Sequence, residues 1–399
     1  MPTVLQINSC ANWGSTGKIA EQINLAAANY GWNTYIAYGR SVNPSQSKLI
    51  HVGNLASQAI ALTEARLLDN DGLSSRIATK RFVKKIKEIN PNIIHLHNLH
   101  GYYINYKILF EYLNGVNIPI VWTLHDCWSF TGHCGHFVGV NCEKWKSHCA
   151  ICPLKKAYPA SLWLDKSANN YDLKRRLFPS NKNLHIVAVS EWMAGLVKQS
   201  YLKDVDIRVI NNGVNVDVFR PIITEKSNKF NILGVSSVWT QSKGLYDFYR
   251  LRDILDEDRY DITLVGLSND QIKVLPKGIN GVARTNSVEE LVRYYNMADV
   301  FINPTYCDTF PTTNLEALSC GTPVITYRTG GSPESITSEV GEVVEQGNIQ
   351  CLCKAIYTIQ NKGKQNYSTV CRNRAERFYN KEDRFKEYIV LYDELLHGK

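Results

Sequence analysis

The sequence predicts an α/β protein made of two Rossmann-like domains, each a parallel sheet with helices on both faces. Short apolar strand patterns alternate with helical patterns along the 399 residues, and this alternation starts afresh near residue 230. Alternating strands and helices form parallel sheets, because the crossover helices pack on the faces of the sheet. The length also suits two or three domains better than one.

The first domain is predicted to cover residues 1–220. A turn through residues 12–17 follows its first strand, and a helix is expected from residue 18 to about residue 30. The predicted strands lie at 4–7, 33–38, 93–96, 120–124 and 186–189. In doubly wound sheets a ligand binds beyond the carboxyl ends of the strands, so residues at these ends are candidates for a site.

The second domain is predicted to cover residues 230–380, after a polar linker at 224–229. Its strands are expected at 230–235, 262–265, 300–302 and 324–326. Residues 381–399 are assigned to a last helix that is amphipathic over 384–396. Its apolar face carries Phe385, Tyr388, Ile389, Tyr392 and Leu395. Two facing sheets would hold a shared ligand in the cleft between the domains.

The positive charge of the chain lies in its N-terminal half. The formal net charge is +8, with 23 Lys and Arg against 13 Asp and Glu in residues 1–216, and 22 against 24 in residues 217–399. Basic clusters occur at Lys80, Arg81, Lys84, Lys85 and Lys87, and at Lys174, Arg175 and Arg176. Such faces attract anionic lipid or nucleic acid, and the alternative is a solvated helix surface. A nucleic-acid partner is not expected, because aromatic platforms are not interleaved with the basic groups.

No stretch approaches 18 uninterrupted apolar residues, and the N-terminus lacks the basic and apolar regions of a signal peptide. A membrane-spanning helix and export are therefore not expected. Eleven cysteines without an export signal argue against a disulfide framework. Cys320, Cys351 and Cys353 lie in helical patterns and are predicted to be small buried residues.

Four further cysteines follow the strand at 120–124. The pair Cys149 and Cys152 has the Cys-x2-Cys spacing of metal ligands, whereas Cys134 and Cys142 do not. His133, His136 and His148 are rival ligands in the same loop, 127–153. The spacing is compatible with a structural zinc site formed by Cys134, Cys142, Cys149 and Cys152. Free thiols or a redox-labile pair are the alternative.

The first strand leads into a glycine-containing loop that superficially resembles a P-loop. Asn12 stands where the first glycine of that motif belongs, and Ile19 replaces the hydroxyl residue that binds Mg²⁺. Free N–H groups at a helix N-terminus could still bind a phosphate or a sugar. The candidate contacts are Gly14, Ser15, Thr16 and Gly17. A plain strand–helix turn is the alternative.

Two more loops carry candidate residues. His125 ends the strand at 120–124 and could bond a sugar hydroxyl or a leaving phosphate, unless it is a structural histidine. His95, His97 and His100 flank another strand end and are weaker candidates. Ser236 begins the first loop of the second domain, where Lys243 could neutralise a diphosphate. A surface lysine is the alternative.

The most specific motif lies between residues 308 and 334. Asp308 and Glu316 bracket the start of a helix whose N–H groups could face phosphates. One carboxylate could accept hydrogen bonds from sugar hydroxyls, and the other could hold a ribose. The residues between them that could contact this ligand are Phe310, Pro311, Thr312, Thr313 and Asn314. The segment therefore predicts a nucleotide-sugar site.

On these residues, the chain resembles the retaining glycosyltransferases of family 4, which have the GT-B fold, over essentially its whole length. Asp308-x7-Glu316 resembles the Glu-x7-Glu motif of that family. The resemblance includes residues 190–191, 211–214, 243–244 and 330–334. Residues 122–128 and the Cys-rich loop look like a subgroup from bacterial colanic-acid and O-antigen gene clusters.

The resemblance implies a metal-independent, hexosyl-type transferase that needs no cofactor and uses a nucleoside-diphosphate sugar as donor. It implies that Glu316 holds the ribose, Asp308 the donor sugar, Lys243 the diphosphate, and that His125 contacts the sugar near the reacting carbon. Two departures stand out: Asp308 is one methylene shorter than the usual Glu, and Val238 occupies a position that is usually Arg.

The resemblance also implies an acceptor and a cellular location for the enzyme. Its N-terminal domain would bind a glycan or undecaprenyl-linked acceptor, and its last helix would cross back to that domain. A cytoplasmic location with peripheral attachment to the inner membrane matches the basic N-terminal half. A sugar-nucleotide epimerase on the same fold is the alternative function. A dinucleotide-dependent oxidoreductase is not expected, because no strand is followed by Gly-x-Gly-x-x-Gly.

Overall fold

A computed structural model of the protein describes residues 1–225 and 227–398. Lys226, in the predicted linker, and Lys399, at the end of the predicted last helix, lie outside the described residues. The chain divides into two compact units. The first contains Met1–Asn211 and Phe385–Lys399, and the second contains Asn212–Arg384. The boundary therefore falls at residue 211 rather than in the polar stretch predicted to be the linker.

The first unit contains a parallel sheet of seven strands in the order β3-β2-β1-β4-β5-β6-β7. The strands are β1 (Thr3–Asn8), β2 (Asn33–Tyr38), β3 (Lys48–His51), β4 (Ile93–Leu96), β5 (Ile120–Leu124), β6 (Leu184–Ala188) and β7 (Asp206–Val209). All neighbouring strands pair in parallel register. The edge strands β3 and β7 were not predicted, because they are short and largely exposed or half-buried.

Helices cover both faces of this sheet. They are α1 (Gly14–Asn29), α2 (Leu55–Leu68), α3 (Arg76–Ile89), α4 (Tyr106–Leu113), α5 (Ser167–Leu177) and α6 (Glu191–Val197). Helix α1 begins at Gly14, four residues before the predicted start at residue 18. Side chains of β1 alternate between the two faces, so Val4 and Leu5 belong to different apolar clusters.

The second unit contains a parallel sheet of six strands in the order β10-β9-β8-β11-β12-β13. The strands are β8 (Phe230–Val235), β9 (Tyr260–Val265), β10 (Ile279–Val282), β11 (Val300–Asn303), β12 (Val324–Tyr327) and β13 (Gly341–Val344). Its helices are α7 (Leu245–Ile254), α8 (Asn269–Lys273), α9 (Val288–Met297), α10 (Thr312–Ser319), α11 (Ile349–Lys362) and α12 (Gln365–Tyr379). The two-domain α/β prediction is therefore confirmed.

The last helix, α13 (Lys381–His397), packs mainly in the first unit. Phe385, Tyr388, Ile389 and Tyr392 of this helix are buried against the face of the first sheet that carries Val4. The crossing back that the resemblance implied is thus observed. Within the described part of the chain, no helix combines the length and the apolar character needed to cross a bilayer.

Each sheet has one place where neighbouring strands lie far apart in sequence. In the first unit, β1 lies beside β4, and in the second, β8 lies beside β11. The connections leave in opposite directions at such a switch point and open a crevice at the carboxyl ends of the strands. The loops after these four strands, and after their neighbours β5 and β12, are the places to look for a site.

Candidate functional site

In the second unit, the loop after β8 is pressed against the end of β11. A short 3₁₀ turn at Gln241–Lys243 is followed by Gly244, whose φ is +75°. A Cβ atom on Gly244 would lie 2.3 Å from the carbonyl oxygen of Pro304. The N–H of Tyr306 donates to the carbonyl of Ser242 at 2.8 Å. Only glycine fits here, and it fixes Lys243 beside the loop after β11.

Lys243 and Asp308 form an ion pair at this switch point. Lys243 Nζ donates to Asp308 Oδ2 at 2.7 Å, and both side chains are largely buried, with 34% and 21% of their surface exposed. Burial alone would lower the pKa of Lys243, but the charge and hydrogen bond of Asp308 raise it above its ordinary value. Lys243 is therefore a permanent cation in this loop.

Asp308 is held from behind by the two glycines after β12. Gly330 has a φ of +55°, and a Cβ atom there would lie 1.9 Å from the Asp308 carbonyl oxygen. The N–H of Gly331 donates to the same carbonyl at 3.1 Å. The Gly330–Gly331 pair of the sequence motif thus positions the main chain of Asp308.

Helix α10 begins directly after this loop. Pro311 is its N-cap and makes no side-chain capping bond, and Thr312 and Thr313 are partly exposed in the first turn. The positive end of the helix dipole favours an anion there. Phe310 and Pro311 are buried, with Phe310 packed against Tyr379 at a ring distance of 5.8 Å.

Glu316 lies on the same face of α10 as Thr312 and Thr313, because residues three and four apart are neighbours on a helix. Its Oε2 atom accepts a hydrogen bond of 2.8 Å from the hydroxyl of Tyr295, which is fully buried on α9. Burial and the Glu316 charge raise the pKa of Tyr295 well above its ordinary value. Tyr295 therefore donates to Glu316 at every working pH and orients the carboxylate.

Two of the predicted contacts, Asn314 and Ser236, also make structural hydrogen bonds. The Asn314 side chain is fully buried, accepts from Asn303 Nδ2 at 2.8 Å and donates to the Ser332 carbonyl at 3.3 Å. Its side chain ties β11 and α10 to the loop after β12. Ser236 Oγ donates to the Val238 carbonyl at 2.9 Å and so shapes the start of the Lys243 loop.

In the first unit, the loop after β1 presents the start of α1. Gly14 and Ser15 are exposed, Thr16 is partly exposed, and the N-cap residue Trp13 makes no side-chain capping bond. Gly17 is buried, and a Cβ atom there would lie 3.3 Å from both the Cys10 carbonyl oxygen and the Asn12 nitrogen. Gly17 therefore closes the loop, and Gly14, Ser15 and Thr16 remain open to a ligand.

The histidines after β4 and β5 converge. His125 is 9% exposed, and its Nε2 lies 3.0 Å from Nδ1 of His97. Together with His100 and Asp126, these two rings line one small pocket. His95 has a structural role, because it is fully buried between Tyr392 and Thr123 at 2.6 and 2.8 Å. His97, which the sequence ranked low, is the histidine that contacts His125.

Asp126, next to His125, pairs with His100. His100 Nε2 lies 2.7 Å from Asp126 Oδ2. Burial would lower the pKa of His100, but the Asp126 charge raises it above its ordinary value. Burial would raise the pKa of Asp126, but His100 holds it below its usual range. The pair is therefore charged near neutral pH, beside a His125 ring whose burial lowers its pKa to about 4.

The predicted zinc site is not supported. One small pocket is lined in part by Cys134, Cys142, Cys149 and Cys152. Among residues 1–225 and 227–398, however, no group of three or more His, Cys, Asp or Glu side chains is arranged to hold a metal ion. The rival ligand His133 bonds Asp69 at 2.6 Å, and His148 bonds Asp172 at 3.1 Å. The eleven cysteines form no disulfide bond in the part of the chain that the structure describes.

One predicted basic cluster also needs correction. Lys174 is buried, and its Nζ donates to the carbonyls of Trp128 and Thr131 at 2.8 and 3.1 Å. It lies 3.3 Å from the centre of the Trp128 ring. Lys174 therefore braces the Cys-rich loop from inside, and only Arg175 and Arg176 of that cluster are exposed. The basic residues of α3 from Lys80 to Lys87 are all exposed.

Sequence reasoning missed Gln6, whose Oε1 atom lies 2.8 Å from His97 Nε2, and Tyr295, and it ranked His97 low. Gln6 is a polar residue within the apolar strand β1, and His97 directly follows β4. Both features were readable as signals of a polar network at a strand end. Tyr295 gave no signal, because an aromatic residue on the buried face of a helix is ordinarily core.

Family models match both halves of the chain. The model described as Glycosyltransferase Family 4 matches residues 48–218, and the model described as Glycosyl transferases group 1 matches residues 229–362. The first match lies mainly in the first unit and ends just past its boundary at Asn211, and the second match lies in the second unit. Both agree with the resemblance inferred from the motifs.

Two curated relatives and one solved structure extend these matches. A putative colanic acid biosynthesis glycosyl transferase, WcaC, from Escherichia coli K12 is 24% identical over 87% of this chain and 88% of its own length. An E. coli UDP-Gal:alpha-D-GlcNAc-diphosphoundecaprenol alpha-1,3-galactosyltransferase is 26% identical over 51% of this chain and 58% of its length. The structural alignment with sucrose-phosphate synthase from Thermosynechococcus elongatus covers 100% of both chains, with a TM-score of 0.75 and 16% identity. The two proteins share the fold.

Proposed function

We propose, from the premise that this chain belongs to glycosyltransferase family 4, that it moves a sugar from a nucleoside-diphosphate sugar to a lipid-linked acceptor in the synthesis of a bacterial surface polysaccharide. The observation that carries this proposal is the convergence of Lys243, Asp308, the start of α10 and Glu316 beside the switch point between β8 and β11. A cation, a helix N-terminus and two carboxylates are the groups that a nucleotide-sugar needs.

Each part of the donor has a proposed partner in the second unit. Glu316, oriented by Tyr295, accepts hydrogen bonds from the ribose hydroxyls. The N–H groups at Thr312 and Thr313 and the ammonium of Lys243 bind the diphosphate. Asp308 accepts from hydroxyls of the sugar. Lys243 Nζ and Asp308 Oδ2 lie 2.7 Å apart, so the proposed contacts to the phosphate and to the sugar are adjacent.

The diphosphate end of this site has one cation fewer than the family pattern. Val238 stands at the position that is usually Arg, and its side chain is 65% exposed. The proposal therefore gives Lys243 and the α10 N-terminus a larger share of the phosphate binding. Stabilising the leaving diphosphate is the main electrostatic task, because the bond from the anomeric carbon to phosphate breaks as the oxocarbenium character develops.

We further propose the first unit as the acceptor side. Gly14, Ser15 and Thr16 lie at an exposed helix start, and His125 contacts the donor sugar near the reacting carbon. Retention of configuration is part of this proposal: the leaving phosphate takes the proton of the acceptor hydroxyl on the same face. No side-chain nucleophile is assigned, and neither a metal nor another cofactor has a role in this scheme.

Peripheral attachment to the cytoplasmic face of the inner membrane is part of the proposal. The exposed basic face of α3 includes Lys80, Arg81 and Lys84. Trp163 is 74% exposed in a loop whose Leu162 N–H donates to the Arg66 carbonyl of α2 at 2.7 Å. Basic and apolar groups on one unit suit an anionic lipid surface, and the E. coli galactosyltransferase named above uses a diphosphoundecaprenol acceptor.

A ligand screen followed by a transfer assay tests the proposal. UDP-, GDP- and dTDP-sugars are tested for thermal stabilisation, since a ligand at 100 times its Kd stabilises by about 2.7 kcal/mol. The best donor is then incubated with and without a lipid-linked acceptor. Transfer requires the acceptor, whereas the epimerase alternative would change the sugar without it. Failure of all three nucleotide classes to stabilise the protein would contradict the donor site.

A further inference from the structure

We propose that Gln6 and His97 are positioning residues that fix His125 in the neutral tautomer with its proton on Nε2. The inference deepens the proposed function, because it sets what His125 offers to a sugar. Its structural part stands on the hydrogen bonds of the first unit alone.

The chain of bonds starts at Gln6, which is fully buried on β1. Gln6 Nε2 donates to the carbonyl of Ala20 at 2.9 Å and to Asn24 Oδ1 at 3.2 Å. A backbone carbonyl can only accept, so the amide group of Gln6 cannot be turned around. Its Oε1 atom therefore faces His97 as an acceptor.

The same reasoning supports the orientation of Asn24. Its Nδ2 donates to Ser47 Oγ at 2.7 Å, and Ser47 Oγ in turn donates to the carboxylate of Glu21 at 2.9 Å. A carboxylate can only accept, so the Ser47 hydroxyl has its proton committed and accepts from Asn24. Asn24 Oδ1 is thus the side that accepts from Gln6, and Glu21, whose oxygens accept from Ser45, Gln46 and Ser47, lies at the far end of the chain of bonds.

His97 is the next member of the chain of bonds, and its two ring nitrogens have different roles. Its Nε2 lies 2.8 Å from Gln6 Oε1 and must carry a proton to make that bond. Burial, followed by the nearby His95 and His125, lowers the pKa of His97 well below its ordinary value, so the ring is neutral. A neutral imidazole has one N–H, and Nδ1 of His97 is therefore an acceptor.

His125 completes the chain. Its Nε2 lies 3.0 Å from the His97 Nδ1 acceptor, so Nε2 carries the proton. The titratable groups around this pair are His95 on β4 and the pair His100–Asp126, in which the Asp126 carboxylate is bonded to His100. His125 stays neutral in this setting, and its Nδ1 has a lone pair. Any group that meets Nδ1, including a hydroxyl of the proposed donor sugar, must donate.

Core packing does not require the rings of His97 and His125 to be held in one orientation, so their hydrogen bonds point to a role in the site. An acceptor at His125 Nδ1 selects a hydroxyl and rejects a carbonyl or phosphate oxygen at that point. In the proposed reaction, Gln6 and His97 act through His125 and touch no substrate, so both are positioning residues.

The tautomer is measurable without any activity. Protein labelled with ¹⁵N in histidine gives a two-bond ¹H–¹⁵N spectrum in which the two neutral tautomers have distinct patterns, and His125→Gln assigns the signal. The expected result for the wild-type chain is a neutral ring protonated on Nε2 between about pH 5.5 and pH 8.5. A His125 signal with its proton on Nδ1, or a charged ring at pH 7, would overturn the inference.

Variants then test the chain of bonds. Gln6→Met keeps the length but removes the acceptor, and His97→Leu removes both ring nitrogens; each is expected to give a mixture of tautomers at His125. His97→Asn places an amide oxygen near the position of Nδ1 and is expected to keep the Nε2–H form. Thermal unfolding identifies the variants that remain folded, and an unchanged His125 spectrum in folded Gln6→Met and His97→Leu overturns the proposal.

Kinetics connect the tautomer with the proposed function. Gln6→Met is expected to lower kcat by about three- to tenfold with a smaller change in KM, the size of one misdirected hydrogen bond. If the spectra change as expected but transfer does not, the chain of hydrogen bonds from Gln6 to His125 exists and the proposed sugar contact of His125 is wrong. If no transfer is found in the wild-type chain, the proposed function fails, while the spectra still show whether the chain of hydrogen bonds fixes the His125 tautomer.

Discussion

Lys243 Nζ donates to Asp308 Oδ2 at 2.7 Å, so the residue proposed to bind the diphosphate directly contacts the residue proposed to bind the sugar. The ion pair holds a cation and an anion in a partly buried site, and each compensates the charge of the other. The lysine ammonium keeps two further N–H donors and the carboxylate keeps further acceptor positions, so both groups can bind the donor beside each other. The strength of donor binding therefore depends on both residues together.

Lys243→Ala is expected to weaken nucleoside-diphosphate binding by about 10- to 150-fold, the range for losing a hydrogen bond to a charged group. Isothermal titration with the preferred nucleoside diphosphate measures this loss. Lys273→Ala is a matched control, because Lys273 pairs with Asp270 on the exposed surface of the same unit. Equal affinities for Lys243→Ala and the control would remove Lys243 from the diphosphate site.

Gly330→Ala tests whether the loop after β12 positions Asp308. The new Cβ would lie 1.9 Å from the Asp308 carbonyl oxygen in a left-handed conformation, so the loop must shift. We expect a loss of stability of about 1–3 kcal/mol and weaker binding of the sugar-nucleotide. Gly139→Ala is the control, since no atom lies within 4 Å of its added Cβ. Donor affinity that survives Gly330→Ala in a folded protein would contradict this role.

Tyr295→Phe tests whether the orientation of the Glu316 carboxylate matters, because it leaves the charge of that carboxylate in place. The variant removes the 2.8 Å hydrogen bond to Glu316 Oε2 and keeps the carboxylate. Its donor affinity is expected to fall by about three- to tenfold, less than that of Glu316→Ala, because the hydroxyl that orients the carboxylate is lost while the carboxylate itself remains. Competition between the nucleoside diphosphate and its 2′,3′-dideoxy analogue reports the ribose contact. Tyr295→Phe and Glu316→Ala should both reduce the preference for the ribose form.

The His100–Asp126 pair predicts a pH dependence of stability. The folded-state pKa of His100 is raised, so its contribution is fully present below the unfolded value of about 6.5 and is lost as the pH rises through the folded pKa. The pKa of Asp126 is lowered, so its contribution is present above about pH 4 and is lost as the pH falls through the folded pKa. The pair stabilises most between these limits.

Urea unfolding of the wild-type chain and His100→Gln checks this dependence. The difference in the free energy of unfolding should be largest near pH 5–6 and should shrink as the pH rises above 6.5. His185→Gln serves as a control, because His185 pairs with Asp206 near the surface. A difference that does not change between pH 5.5 and pH 9 would contradict the charged pair.

Membrane attachment predicts an effect of surface charge. Changing Lys80, Arg81 and Lys84 together to Ala should weaken binding to vesicles with anionic lipid, at about 1 kcal/mol per charge at low salt. Trp163→Ser should weaken it further by removing the exposed ring. Lys354→Ala, exposed on the other unit, is the control. Co-sedimentation with vesicles at two salt concentrations measures binding, and equal binding by all variants would reject this surface.

The fold was largely predictable, because alternating apolar strands and amphipathic helices leave few architectures open. The motif around Glu316 was equally clear, since its residues lie within one segment. Contacts between distant segments were not predictable. The Lys243–Asp308 pair joins loops 65 residues apart, and Gln6 reaches His97 across 91 residues. The burial of Lys174 was also missed, because a run of basic residues suggested an exposed helix face. Its Nζ atom instead lies over the Trp128 ring and donates to two backbone carbonyls.

The initial rate of sugar transfer from the preferred nucleotide-sugar to a lipid-linked acceptor tests the central claim most directly, when the wild-type chain is compared with Lys243→Ala and Glu316→Ala. The account predicts acceptor-dependent transfer by the wild-type chain, a product with the anomeric configuration of the donor, and a fall in kcat/KM of about tenfold or more in each variant. Full transferase activity in either variant, or turnover of the donor that does not need the acceptor, would contradict it.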